Sequence, residues 1–267
     1  MQFKHVGRPL ARSEDDRLLR GLGRYVGDLV PASHLRLFIV RSPHAMARIR
    51  SMDRATAEAA PGVRLVLTGD SPEIAALGSF SSRLVLKQAD GRPNFHPDYR
   101  PVTAGCARFV GDVVAAVVAD TLAQAMDAAE LLDIDWEPLP AAATLSAAAA
   151  ESAPQVWDDA PGNVCFVHRF GDENAAERAL ADAAHRVSVS YPITRVVAAP
   201  METRNAMAAF DPSDGRLTLY AGVQNPHFIR EELAERILGI PGNRLRVVSP
   251  DCGGAFGLKE APVPEYA

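Results

Sequence analysis

The sequence predicts an α+β fold on three observations. Strand-length runs of alternating or β-branched residues recur from residue 35 onward. Gly–Asp and Ser-Asp-Gly pairs punctuate them as turns, and segments of helical period stand between them. Residues 1–19 form a charged arm, and glycines break the sequence that follows, so an extended path with one turn of helix is expected. LRLFIVRSPH (35–44) and RIRSMD (48–53) predict strands. DRATAEAAPG (53–62) predicts a helix with Asp53 at its cap and Pro–Gly as its stop. VRLVLTG (63–69) is a strand closed by glycine. Residues 71–101 read as a long connection holding at most one strand, RLVLKQ (83–88).

ARFVGDVVAAVVAD (107–120) predicts a hairpin turning at Gly111–Asp112. TLAQAMDAAELLDI (121–134) has helical period, Thr121 as cap, and an apolar face of Leu122, Ala125, Met126, Ala129 and Leu132. DIDWEPLP (133–140) returns as a strand. Residues 20–140 therefore form one compact unit, and the alanine- and proline-rich residues 141–160 form a linker. A second unit follows over 161–267. Its predicted elements are a strand near 163–172, a helix at 173–183, a strand at 185–195, a hairpin within 205–226, a helix at 227–240 and a strand at 243–250.

The chain has 267 residues, 48% hydrophobic composition and a net charge of −5, enough for one large or two modest cores. No basic run supports nucleic-acid binding, no signal peptide opens the chain, and no apolar stretch reaches membrane-spanning length. Cys106, Cys165 and Cys252 stand far apart and make no zinc or iron–sulfur spacing. They read as reduced, buried thiols in a cytoplasmic protein, with Cys252 set apart by its place at a glycine loop.

Two strand ends carry the candidate chemistry. In YAGVQNPHFIREEL, Gln224 sits between a strand and a helix start, where one amide can both donate and accept. In SPDCGGAFGLKE, Gly253, Gly254 and Gly257 surround Phe256, so backbone N–H groups can face an anion or oxo group. The same pattern also describes a tight structural turn. His44 has no nearby carboxylate or cysteine in sequence and reads as structural. Glu202 is either a buried polar anchor or a surface residue, and Arg204 is either its ion-pair partner or a substrate contact. Glu265 carries no reading.

Taken in order, VGRPLARSEDDRLLRGLGRYVGDL, RSPHAMARIRSMD, RFVGDVVAAVVADTLAQAMDAAELLDIDWEPLPA, APMETRNAMAAFDP, LTLYAGVQNPHFIREELAERILGIP and RVVSPDCGGAFGLKE resemble the molybdenum hydroxylase family of xanthine dehydrogenase, aldehyde oxidase and the large chain of aerobic carbon monoxide dehydrogenase. The resemblance implies an α/β-hammerhead domain over 20–140. Over 161–267 it implies the first, incomplete part of a molybdenum-cofactor-binding α+β domain. It implies that Gln224 lies beside molybdenum and hydrogen-bonds an oxo ligand. It also implies that Gly253, Gly254 and Gly257 form a loop against the metal centre with Phe256 nearest, and neither Gln224 nor Phe256 is a direct ligand. Glu260 takes the place of a substrate-contacting glutamate of purine-oxidising members. Ala255 and Leu258 depart from the family's Gly-Gly-Gly-Phe-Gly-Gly-Lys loop.

The implied cofactor is molybdopterin with molybdenum, in the cytosine dinucleotide form, shared with a partner chain. Iron–sulfur clusters and FAD are expected in small and medium subunits, not here. The family's base, a glutamate, lies in sequence this chain does not contain, so no catalytic residue is assigned and the chain alone is expected to be inactive. The family's large subunit is several hundred residues longer, which implies a split or truncated subunit completed by a further chain. The implied reaction is oxidation of an aldehyde, a purine or N-heteroaromatic compound, or carbon monoxide by water-derived oxygen. The alternative is a remnant or assembly module without metal. Either way, exposed apolar surface is expected within 185–267.

Overall fold

The structure is a computed structural model that describes residues 6–267 apart from positions 32, 81, 83, 89 and 90. The arm carries one helical turn, α1 (Asp15–Leu19), and a 3-10 turn at Val26–Leu29. Its first five residues lie outside the described set, as does Arg83 in the strand expected at 83–88. The first unit contains β1 (Arg36–Arg41), β2 (Ala47–Asp53), α2 (Ala55–Glu58), β3 (Val63–Thr68), α3 (Pro72–Ala75), β4 (Cys106–Ala107), β5 (Val113–Ala119), α4 (Leu122–Glu130) and β6 (Asp133–Pro138).

These strands make two antiparallel sheets, ordered β1-β5-β3 and β4-β2-β6. β5 is central, paired on both edges and buried along nearly all its length, which explains a run of Val and Ala without alternation. Its alanines let helices approach closely: Ala57 of α2 and Ala125 and Ala128 of α4 pack with Val66, Val117 and Ala119 in one cluster. The hairpin expected over 107–120 does not form. Its first arm is the two-residue β4, which pairs with β2, so the two arms enter different sheets. The buried carboxylate of Asp112 makes the break. It accepts from the Thr103 hydroxyl at 2.9 Å and the Arg108 amide at 3.0 Å, which holds the turn in place of a ladder.

Thr121 caps α4 as expected, its hydroxyl accepting from the Gln124 amide at 3.2 Å. The apolar face is rotated from the predicted one. Ala125 and Ala128 are buried, whereas Leu122 and Met126 are 48% and 45% exposed. The alanine-rich strand beneath accepts only the helix's small side. Between residues 71 and 101 the expected strand reduces to isolated bridges, Lys87 with Pro93 and Phe80 with Tyr99.

The linker residues are folded against the first unit. They carry α5 (Leu145–Ala148) and are gathered by Asn163, whose side chain bonds Ala148 O, Pro154 O and the Val156 amide. Arg108 lies over the Trp157 ring at 3.7 Å. The second unit contains α6 (Glu173–Asp182), β7 (Ala206–Asp211), β8 (Arg216–Ala221), α7 (Pro226–Glu231) continuing as a π turn (Glu232–Ile237), and β9 (Leu245–Val248). β7 and β8 form the expected hairpin, and β8 and β9 run parallel, linked by α7. Leu219, Ala221, Ile229, Leu233 and Ile237 form the core of this unit, with Tyr266 and with Leu77 and Phe80 of the first unit. The units meet closely at Gly78, whose amide donates to Ile237 O at 2.8 Å. The strands expected at 163–172 and 185–195 do not form: among the described residues neither stretch joins a sheet and both are largely exposed, with Cys165 O accepting one backbone hydrogen bond from the Phe95 amide at 2.9 Å.

Candidate cofactor-facing site

β8 ends at Ala221, and the turn Gly222–Asn225 leads into α7, where Asn225 caps the helix by accepting from the Phe228 amide at 3.1 Å and Pro226 opens the first turn. β9 ends at Val248 and leads into the glycine loop. Because β8 and β9 are parallel neighbours, both segments emerge from the same end of one sheet. Ser249 ties them at the base: its hydroxyl bonds both the amide and the carbonyl of Val223. Further out, the Gln224 amide donates to Lys259 O at 2.9 Å. The two stretches singled out in the sequence therefore touch directly, with the Gln224 and Phe256 side chains exposed.

Glu202 organises the inner side of the loop. Its Oε2 accepts from Lys259 Nζ at 2.9 Å and from the Gly253 amide at 2.8 Å. The Lys259 side chain is fully buried and that of Glu202 is 12% exposed. Glu202 is thus the buried anchor of its two readings. Arg204 is not its partner: Arg204 Nη2 donates instead to Leu258 O at 2.8 Å. Nothing in residue spacing signals a pair 57 positions apart, and the sequence reading had passed over Lys259 as a binding residue. His44 packs beside Trp136, and Glu265 pairs with Arg41. Cys165 and Cys252 are exposed rather than buried, because the extended segments that carry them have no covering layer.

Asp251, at the loop's entrance, is gripped by the arm. Arg17 forks onto its carboxylate and the Arg24 amide donates to it at 2.8 Å. The Arg17 hydrogen bonds, followed by the Arg24 amide, hold the Asp251 carboxyl far below the usual carboxylate range.

The glycines divide into two roles. Gly253 and Gly254 face inward: an added Cβ would lie 2.4 Å from Glu202 Cβ and 3.0 Å from Pro200 Cβ, respectively. Gly257 has φ +83° and open space around it, and Phe256 itself adopts φ +52°, a left-handed conformation costly for a non-glycine residue. Ala255 needs no positive φ, so its methyl group is tolerated. Among the described residues, the amides of Ala255, Phe256 and Gly257 donate to no protein group. Three unused donors, an exposed aromatic ring and an exposed amide side chain fit an oxygen-rich, anionic group. No cluster of three metal-ligating side chains occurs among the described residues. Glu260 is exposed and adjoins the same loop.

Comparison with known proteins agrees with this geometry. Residues 20–140 match the aldehyde oxidase and xanthine dehydrogenase a/b hammerhead domain, and residues 156–267 match the molybdopterin cofactor-binding domain. The chain belongs to the molybdenum hydroxylase family. Among curated family members, it is 34% identical to the nicotine 6-hydroxylase large subunit of Paenarthrobacter nicotinovorans, over 97% of this chain and 31% of that protein. It is 33% identical to the carbon monoxide dehydrogenase large chain of Hydrogenophaga pseudoflava, over 95% of this chain and 32% of that one. The crystal structure of quinoline 2-oxidoreductase from Pseudomonas putida 86 superposes with a TM-score of 0.88 at 36% identity, covering 99% of this chain and 33% of that chain. The chain thus spans about a third of the length of these molybdenum hydroxylases. No helix among its described residues is long and apolar enough to cross a membrane.

Proposed function

We propose that this chain supplies one wall of the molybdenum-cofactor site of a hydroxylase acting on an N-heteroaromatic compound, and that further large-subunit sequence supplies the other walls. The observation that carries the reading is the Gln224 N–H bond to Lys259 O, which fastens the Gln-Asn-Pro turn to the glycine loop beside unused loop amides. The bound group, molybdopterin in its cytosine dinucleotide form, supplies a two-electron oxidation in which water-derived oxygen is added to a carbon centre. Gln224 donates a hydrogen bond to an oxygen of that group, and the amides of Ala255, Phe256 and Gly257 stabilise its negative charge. The exposed Phe256 ring excludes water and provides a flat apolar surface for an aromatic substrate. Glu260 offers a hydrogen-bond acceptor to a ring N–H. No residue of this chain is assigned as the base.

The relatives that point to this substrate class are those named for nicotine and quinoline, at 34% and 36% identity. Small iron–sulfur and medium FAD subunits complete the proposed cytoplasmic assembly and receive the electrons. The test is co-expression with the remaining large-subunit sequence and the two smaller subunits, followed by molybdenum analysis and a dye-linked assay with quinoline and nicotine. Molybdenum in the complex, turnover with a heteroaromatic, and loss of at least about tenfold in kcat for Gln224→Ala are expected. The 267-residue chain alone should turn over nothing. Metal-free, inactive protein in every combination would instead establish an assembly module, a reading favoured by the exposed Val187, Val189, Tyr191 and Ile193.

A further inference from the structure

The glycine loop is held from behind by a charge that the reaction itself does not use. We propose that Glu202 is the positioning residue of the site: its carboxylate sets the loop conformation that leaves the Ala255–Gly257 amides unpaired and carries the Gln224 turn with it. The proposal rests on the cofactor-site reading for its purpose, but its geometry stands without it.

Four observations support it. First, one oxygen, Glu202 Oε2, receives both the Gly253 amide at 2.8 Å and Lys259 Nζ at 2.9 Å. Gly253 and Lys259 bracket the loop, so a single atom closes it from both ends. Second, the Glu202 amide donates to Gly253 O at 3.1 Å, so residue 202 grips Gly253 on both its N–H and its C=O. Third, Lys259 O accepts from Gln224, so the ion pair extends through Lys259 to the neighbouring turn. Three separate stretches of chain meet at one carboxylate. Fourth, Glu202 explains two glycines that a ligand does not. A Cβ at Gly253 would lie 2.4 Å from Glu202 Cβ, and one at Gly222 would lie 3.0 Å from Glu202 Oε2. Gly253 and Gly222 are therefore small to admit Glu202.

Lys259 is only 1% exposed, and its ammonium also contacts Cys252 Sγ at 3.9 Å. A buried ammonium whose carboxylate is removed is strongly destabilising where it stands, so the loop end would move to hydrate it. Movement of Lys259 releases the Gln224 amide, and loss of the carboxylate's charge weakens its hold on the Gly253 amide, for which a neutral amide oxygen is a poorer acceptor. Glu202 bonds Gly253 and Lys259 rather than the Ala255–Gly257 amides, so its effect on a bound group is through the loop.

The test is hydrogen–deuterium exchange on the full 267-residue chain, comparing the parent with Glu202→Gln, Lys259→Met and the double variant. In Glu202→Gln, the hydrogen-bonded amides of Gly253, Leu258 and Gln224 should exchange at least about tenfold faster, while β5 amides remain unchanged. Should Glu202→Gln unfold the second unit, the double variant removes the stranded ammonium as well. It should refold that unit and still show faster exchange than the parent at Gly253, whose amide then meets a neutral and weaker acceptor. Unchanged protection at Gly253, Leu258 and Gln224 in a folded Glu202→Gln, or at Gly253 in the double variant, overturns the proposal. A second arm measures molybdenum per large subunit in the co-expressed complex and the dissociation of the metal-bearing group on dilution. Glu202→Gln should lower occupancy, and Glu202→Asp should recover part of it. Faster loop exchange with undiminished occupancy would keep the latch but overturn its role toward a cofactor. A metal-free parent would overturn the cofactor reading and leave the exchange result standing.

Discussion

β5 and the stretch 187–197 are built from the same kinds of residue and have opposite fates. Val113–Ala119 lies between β1 and β3, with Val114 and Val117 fully buried. VSVSYPITRVV also presents β-branched residues, with clean alternation at its start, yet Val187, Tyr191 and Ile193 are 88%, 80% and 95% exposed. The difference is not local propensity. β5 finds both partners within about eighty residues of its own chain, at Arg36 to Thr68. The later stretch finds none among the described residues. A strand is completed by its neighbours, so the sequence signal reports readiness to pair, and burial reports whether pairing happened.

The sharpest way to break this comparison is to place the same charge in both stretches. Val117→Asp should unfold the first unit, costing on the order of 3–5 kcal/mol or more, because an unpaired carboxylate replaces a buried side chain in a two-edged strand. Val189→Asp should change stability by no more than about 0.5 kcal/mol in the same chain. Urea denaturation followed by circular dichroism compares them, and equal costs would mean that 187–197 is packed after all. Next in size, Leu233→Ala should destabilise the β7–β9 unit by about 2–5 kcal/mol, since Leu233 is 1% exposed within its core. A cost below about 1 kcal/mol would show that this smaller core is as loosely made as the segment preceding it.

The smallest expected effect separates burial from charge. The Asp251 carboxyl is depressed chiefly by the hydrogen bonds from Arg17. A carboxyl with a lowered folded pKa contributes stability that is fully present above its unfolded value, about 3.9, and is lost as pH falls through the folded one. The tie between arm and loop should therefore be intact at pH 7 and weaken only in acid below about pH 4. Limited proteolysis near residue 17 with an acid-active protease should show the arm released there, while Arg17→Ala should be released at both pH values. Identical cleavage of the two proteins at neutral pH would show that the clamp does not hold the arm.

Much of the molecule was legible because its signals are short-range. Thr121 as a cap, the Asp211–Gly215 turn and the Pro226 helix start follow from residues within a few positions of one another. The Gln224 and Phe256 stretches could be singled out for the same reason, as each follows a strand. What escaped depends on distant partners. The partner of β4 is not legible in its own residues, because its choice of β2 over β5 is set by Asp112 and Thr103. Glu202 could not be paired with Lys259, since only the parallel β8–β9 arrangement and the return of the loop bring them together. The inward glycines looked like the outward ones because a missing Cβ does not say which neighbour required it.

The Arg17–Asp251 clamp joins residues 234 positions apart. At ribosomal speeds of about 5–20 residues per second, Arg17 emerges roughly 12–50 seconds before its partner. For about the second half of that interval, after β6 (Asp133–Pro138) has emerged, the hammerhead can be complete while the arm still waits, so translation orders the two events: the scaffold forms first, and the entrance to the glycine loop is fastened last.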